Sequence, residues 1–238
     1  TIQVFGGDIP YSQTWPLQPV PYEVLDNLNI EGANTPVFTI AAGNTLLIHP
    51  DVYIDVGRPG LLIAQGTVTM PITFDAADPA RRWDKINFGW GSVPPTVTQA
   101  TPMSTLQHVV IDNAGGNDVL SKRGALEIKT QGNTRAAGPV INHVTVRNSS
   151  AYGVLIDSYD NDPTPPLLSN LTVTGSQAAP LLIDAADLGG LGAGNTFTAN
   201  VTNTIRLMAF SDNLNYTHTW RTQPVPFEVL DSLSIRGG

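Results

Sequence analysis

The chain has 238 residues, 41% of them hydrophobic and only 13% charged, so core-forming material is ample. Thr, Asn, Gly and Pro fill the places that charged side chains usually hold, which disfavours long helices and favours strands joined by tight turns. A net charge of −8 without a basic run excludes nucleic acid and anionic membrane surfaces as expected partners. The absence of cysteine excludes disulfides and thiolate metal sites, and no apolar run is long enough to cross a bilayer.

The first element in chain order returns at the other end. "TWPLQPVPYEVLDNLNI" (Thr14–Ile30) and "TWRTQPVPFEVLDSLSI" (Thr219–Ile235) are identical at 12 of 17 positions, at an offset of 205. The match runs back through Tyr11 and Tyr216, Ile9 and Leu214, and Phe5 and Phe210. With a two-residue slip, "TIQV" (Thr1–Val4) overlies "TIRL" (Thr204–Leu207). Self-similarity at so long a period marks an array of large modules. The expected division is residues 1–13 as the end of a preceding repeat-like coil, 14–218 as one full module, and 219–238 as the start of the next copy. Proline cannot donate a ladder hydrogen bond, so "QPVP" in both copies is predicted to run extended at a sheet edge. Trp15, Tyr22, Val24 and Leu25 at one end, and Trp220, Phe227, Val229, Leu230, Leu233 and Ile235 at the other, are the expected contact residues between modules or subunits.

Asn44–Gly89 follows, with Leu46, Ile48, Pro50 and Val52, then Leu61, Gly66, Pro71, Ile72, Thr73 and Phe74, then Trp83 and Ile86. Beyond it, two sets of short apolar runs interleave. "LQHVVIDNA", "INHVTVRNS", "LSNLTVTGS" and "NTFTAN" carry the anchors Ile111, Val146, Val173 and Phe197, spaced 35, 27 and 24 residues apart. "GALEI", "GVLI", "PLLI" and "TIRL" carry Leu126, Val154, Leu181 and Ile205, spaced 28, 27 and 24. The runs are β-branched and alternate, as half-buried strands do. Asn113, Asn148 and Gly175 each fall two residues after an anchor, and Asn and Gly tolerate the left-handed conformation of a sharp corner. No linking stretch carries a helical apolar period. The expectation is an all-β parallel β-solenoid with two strands per coil and a coil period of about 24–28 residues.

Asn44–Gly89 resembles the opening coils of right-handed parallel β-helix proteins of the pectin-lyase-like superfamily, and Ile141–Ile156 reads like one of their later coils. It departs from their pattern at Asp51, where glycine is usual. The resemblance implies a right-handed parallel β-helix in a secreted or surface prokaryotic protein. It leaves function open, because that superfamily holds lyases, hydrolases, adhesins and scaffolds.

Candidate chemistry is sparse. The pattern words of polygalacturonase-like enzymes do not occur. Asp157 and Asp184 end strands one coil apart, close enough to stack and share calcium or a proton. The loop "DSYDNDPTPP" adds Asp160 and Asp162, so these four residues are at most candidate calcium ligands, and the expectation is no cofactor. His108 and His143 hold one position in successive coils, three before the anchor. The next coil has Asn170 there, which predicts a hydrogen-bonding side chain at a strand start. Thr145 and Thr172 are expected to face outward in an array broken by Val110 and Arg147. The expected function is a non-enzymatic structural module of an extracellular fibre, sheath or adhesin at the cell surface. It would assemble head to tail with itself through its terminal segments, with surface glycans as a further partner. The alternative is a β-helix that binds or cleaves polysaccharide.

Overall fold

The structure is a computed structural model that describes residues 1–57, 59–89, 103–116, 123–130, 138–158, 165–208 and 219–234. Parallel strands wind in coils, and each coil visits three rows. The first row holds β3 (Gln13–Trp15), β6 (Val37–Ile40), β9 (Leu61–Gln65), the first halves of β12 (Thr105–Asp112) and β14 (Val140–Arg147), and β16 (Leu167–Ser169). The second holds β1 (Ile2–Val4), β4 (Tyr22–Val24), β7 (Thr45–Ile48), β10 (Ile72–Ala76), the second halves of β12 and β14, β17 (Thr172–Thr174) and β19 (Thr196–Thr198). These two rows form one bent 12-stranded sheet. The third row is a 9-stranded sheet of β2 (Gly7–Asp8), β5 (Leu28–Asn29), β8 (Ile54–Val56), β11 (Ile86–Phe88), β13 (Gly124–Thr130), β15 (Tyr152–Ser158), β18 (Leu181–Asp184), β20 (Ile205–Met208) and β21 (Phe227–Val229).

Three rows replace the two expected from the sequence, and the reason is local. In β12 the buried apolar residues are Leu106, Val109 and Ile111, so one gap is three residues where a flat strand has two. The extra residue is His108, at φ +47°; His143 (+52°) and Asn170 (+51°) stand at the same bend one and two coils on. The first three runs of the first ladder are therefore each two short strands hinged at a left-handed residue, not one strand with a polar start. Asn113, Asn148 and Gly175, at φ +54°, +55° and +71°, turn the next corner as expected, with Ala199 at +55°.

Both anchor ladders are continuous columns. Phe74, Ile111, Val146, Val173 and Phe197 are register partners from coil to coil, and all are at most 4% exposed. Ile54, Ile86, Leu126, Val154, Leu181 and Ile205 form the column of the third row, each fully buried. Removing each such side chain from water stabilises the stack by about 1.5–3 kcal/mol. The period is less regular than the later coils imply: 20 residues separate Ile2 from its partner Tyr22, and 37 separate Phe74 from Ile111. The differences in length fall between strands, where the ladder places no limit on them. Trp83 is fully buried and its Nε1 donates to the Asp112 carbonyl oxygen at 2.7 Å, tying one coil to the next. The "QPVP" stretches bend rather than run extended, and the strand that follows Pro21 pairs on both sides, with β1 and β7.

Candidate functional site

Of the metal candidates, Asp160 and Asp162 lie outside the described residues. Asp157 and Asp184 do follow the partnered residues Ile156 and Ile183 in adjacent coils. Their surroundings differ, however. Asp184 is fully buried and its Oδ1 accepts the Ala186 backbone N–H at 2.9 Å, capping the 3-10 helix Ala185–Gly190. A capped helix end accounts for that carboxylate. Among the described residues, no three His, Asp or Glu side chains converge on one point.

The outward positions of the third row form one file: Asp8, Asn29, Asp55, Asn87, Glu127, Leu155, Leu182, Arg206 and Glu228. Its early part is a hydrogen-bonded acid–amide ladder, with Asn29 Nδ2 donating to Asp8 at 3.0 Å and Asn87 Nδ2 to Asp55 at 2.5 Å. Glu127 has no exposed side-chain surface and pairs with Lys85 at 3.1 Å and Lys129 at 2.8 Å. Beside it, burial raises the Asp84 carboxyl above its ordinary range, against the pull of Lys85 and Arg123. Leu155 and Leu182 also point out of the coil, yet they are 1% and 0% exposed and cluster with Met208 and Tyr152. Alternation alone gives no sign that these outward positions are covered, so sequence reasoning reaches Glu127 only as an acid within its strand and misses both its burial and this second cluster.

On the second row the outward file reads Thr45, Thr73, Val110, Thr145, Thr172 and Thr196, interrupted at Val110 as expected. Arg147 stands in the neighbouring file and pairs with Asp112 at 2.5 Å.

The two ends repeat one contact. At the first end, Ile2, Gln3 and Val4 pair with Tyr22, Glu23 and Val24. At the last, Ile205, Arg206 and Leu207 pair in parallel with Phe227, Glu228 and Val229. Thr1 Oγ1 donates to Glu23 Oε2 at 2.8 Å, and Thr204 Oγ1 donates to Glu228 Oε2 at 2.7 Å. The hydrogen bond from His49, then that from Thr1, holds the Glu23 carboxyl below its ordinary range. Thr204 and then Arg206 do the same for Glu228. Trp15 stacks on Tyr22 with ring centroids 4.8 Å apart, and Trp220 lies 5.9 Å from Phe227. The copies differ in two respects. The first pair belongs to the 12-stranded sheet and the second to the 9-stranded sheet. Val24 is fully buried beneath β7, whereas Val229 is 51% and Leu230 42% exposed. Leu25 is half-buried, Leu233 packs on Ala185 and Ala186, and Ile235 lies outside the described residues.

Apolar exposure concentrates at these segments. Of the 12 large hydrophobic residues exposed among the described residues, eight are Ile2, Phe5, Tyr11, Leu17, Val20, Trp220, Val229 and Leu230. Charge divides in parallel. Residues 1–57 carry six acids (Asp8, Glu23, Asp26, Glu31, Asp51 and Asp55) and no Lys or Arg. Residues 204–238 balance Arg206, Arg221 and Arg236 against Asp212, Glu228 and Asp231.

Fold and surface together define an all-β parallel solenoid whose most distinctive feature is a duplicated terminal contact. No family model, curated protein or solved structure matches the chain.

Proposed function

We propose that the protein is a structural module of an extracellular fibre, sheath or adhesin, a relative of the pectin-lyase-like β-helices, whose copies join head to tail through their equivalent terminal segments. The observation that carries this is the repeated contact: the same strand words meet in the same register, with the same Thr–Glu hydrogen bond, at both ends of one stack. A duplicated docking element is what serial joining requires, because each copy must offer the surface that the next one reads. Heterologous contacts between stacked ends extend into open filaments unless their rotation closes a ring. Exposed apolar side chains at both ends supply contact area, and exposed strand edges supply hydrogen-bonding groups. The acidic first end and the balanced last end favour a polar, head-to-tail order over meeting of two acidic ends.

Sedimentation velocity and electron microscopy over a concentration series test this. The intact chain is expected to form linear assemblies that shorten as salt weakens the charge pairing. A chain lacking residues 219–238 is expected to keep its β-type circular dichroism and stay single. Intact chains that remain single at the highest concentrations, or truncated chains that elongate equally well, would refute the proposal.

A further inference from the structure

Independently of assembly, the bend between the first and second rows holds an uncommitted pair of imidazoles. The register partners Gln107 with Asn142 and Val109 with Val144 place His108 directly beside His143. Their rings stack with centroids 4.7 Å apart and planes inclined by 29°. His108 is half-buried and His143 exposed. Among the described residues, neither ring has a hydrogen-bond or ion-pair partner. His49, by contrast, is engaged by Glu23 at 2.9 Å.

The bend does not itself require histidine. A left-handed position is served by Asn or Gly, and the next coil uses Asn170 there, its Nδ2 donating to Asn142 Oδ1 at 2.9 Å. What two histidines add is a pair of ring nitrogen donors, fixed side by side by the ladder at a backbone spacing of about 4.8 Å. One ion bonded to two imidazoles at about 2.1 Å needs its nitrogens roughly 3.4 Å apart at a tetrahedral angle. The nitrogen lone pairs lie in the ring planes, so to share an ion the rings must turn about χ2 out of their stack.

We propose that His108 and His143 form a two-ligand site for a late divalent transition ion of the copper, nickel or zinc class, which prefers imidazole donors. Two protein ligands leave at least two positions of a four-coordinate ion open to water or to a donor from outside the chain. Such an ion is held labile and at the surface.

Titration calorimetry with Ni²⁺ and electron paramagnetic resonance with Cu²⁺, on chain without an affinity tag, provide the test. One ion per chain is expected, with nitrogen hyperfine structure in the copper spectrum. H143N and H108N keep a residue suited to the bend, so both are expected to fold. Each should weaken binding more than about tenfold, at least as much as loss of an outer-shell partner costs. H49N and H218N should bind as the intact chain does. Absence of binding to the intact chain, or equal binding by H143N, would overturn the proposal and leave the rings as a stacked aromatic pair only.

Discussion

Val146 and Thr145 are adjacent in β14, and exchanging each for aspartate separates the two sides of one strand. Val146 is fully buried between Ile111 below and Val173 above, whereas Thr145 lies in the outward file between Val110 and Thr172. Val146→Asp removes about 1.5–3 kcal/mol of apolar burial. It also inserts a carboxyl with no partner into that column, costing roughly 2 kcal/mol or more. The expected loss is therefore about 4–5 kcal/mol, in the range reserved for buried unpaired charge. Thr145→Asp should cost under about 1 kcal/mol, the span of strand propensity. Urea unfolding followed by far-ultraviolet circular dichroism reads the difference as a shift in midpoint at constant slope. Because burial raises the introduced carboxyl, the Val146→Asp loss is full at neutral pH and shrinks as pH falls through that raised value, leaving the lost burial. Equal effects from the two substitutions, or a Val146→Asp loss below about 0.5 kcal/mol, would show that the columns are misassigned.

Two further outcomes follow from the same geometry. Trp83→Phe leaves the buried Asp112 carbonyl without its 2.7 Å donor and should cost about 1–3 kcal/mol, with loss of the most blue-shifted part of the tryptophan emission; an unchanged midpoint would place the indole in water. Glu228 ionises below its ordinary range through Thr204 and Arg206, so its contribution to docking β21 is present at neutral pH and is lost as pH falls through that lowered value. Protection factors at Phe227–Val229, corrected for the intrinsic pH dependence of amide exchange, should fall in acid and, at neutral pH, in Glu228→Gln; unchanged protection in that variant would remove the carboxylate from the joint.

Much of the fold was legible because a solenoid writes its period into the chain. Ile111, Val146, Val173 and Phe197 could be aligned by spacing alone, and the left-handed corner at Asn113, Asn148 and Gly175 follows from residue type. The split between the first and second rows was also written, in the three-residue gap from Leu106 to Val109 and its repeats at Ile141–Val144 and Leu168–Leu171. A polar residue inside an apolar run reads as an outward position, and only the change of parity shows that the chain has turned. Contacts across coils were harder to find. Glu127 meets Lys85 some 40 residues away along the chain, and nothing local marks the pair. The Thr1–Glu23 and Thr204–Glu228 bonds did leave a trace, since both members recur in both copies.

The change of sheet between the two ends has a geometric consequence. Seen down its axis, the molecule is a three-sided prism on which the opening words of the repeat lie against the 12-stranded side at one end and the 9-stranded side at the other. A further copy built from the second set would be laid down one side further round. A long array would then carry the twist of a threefold screw: any mark on the surface, whether a threonine file or an imidazole pair, would return once per copy but point in a new direction, and face the same way again only at every third copy. A fibre made on that plan has no front and no back.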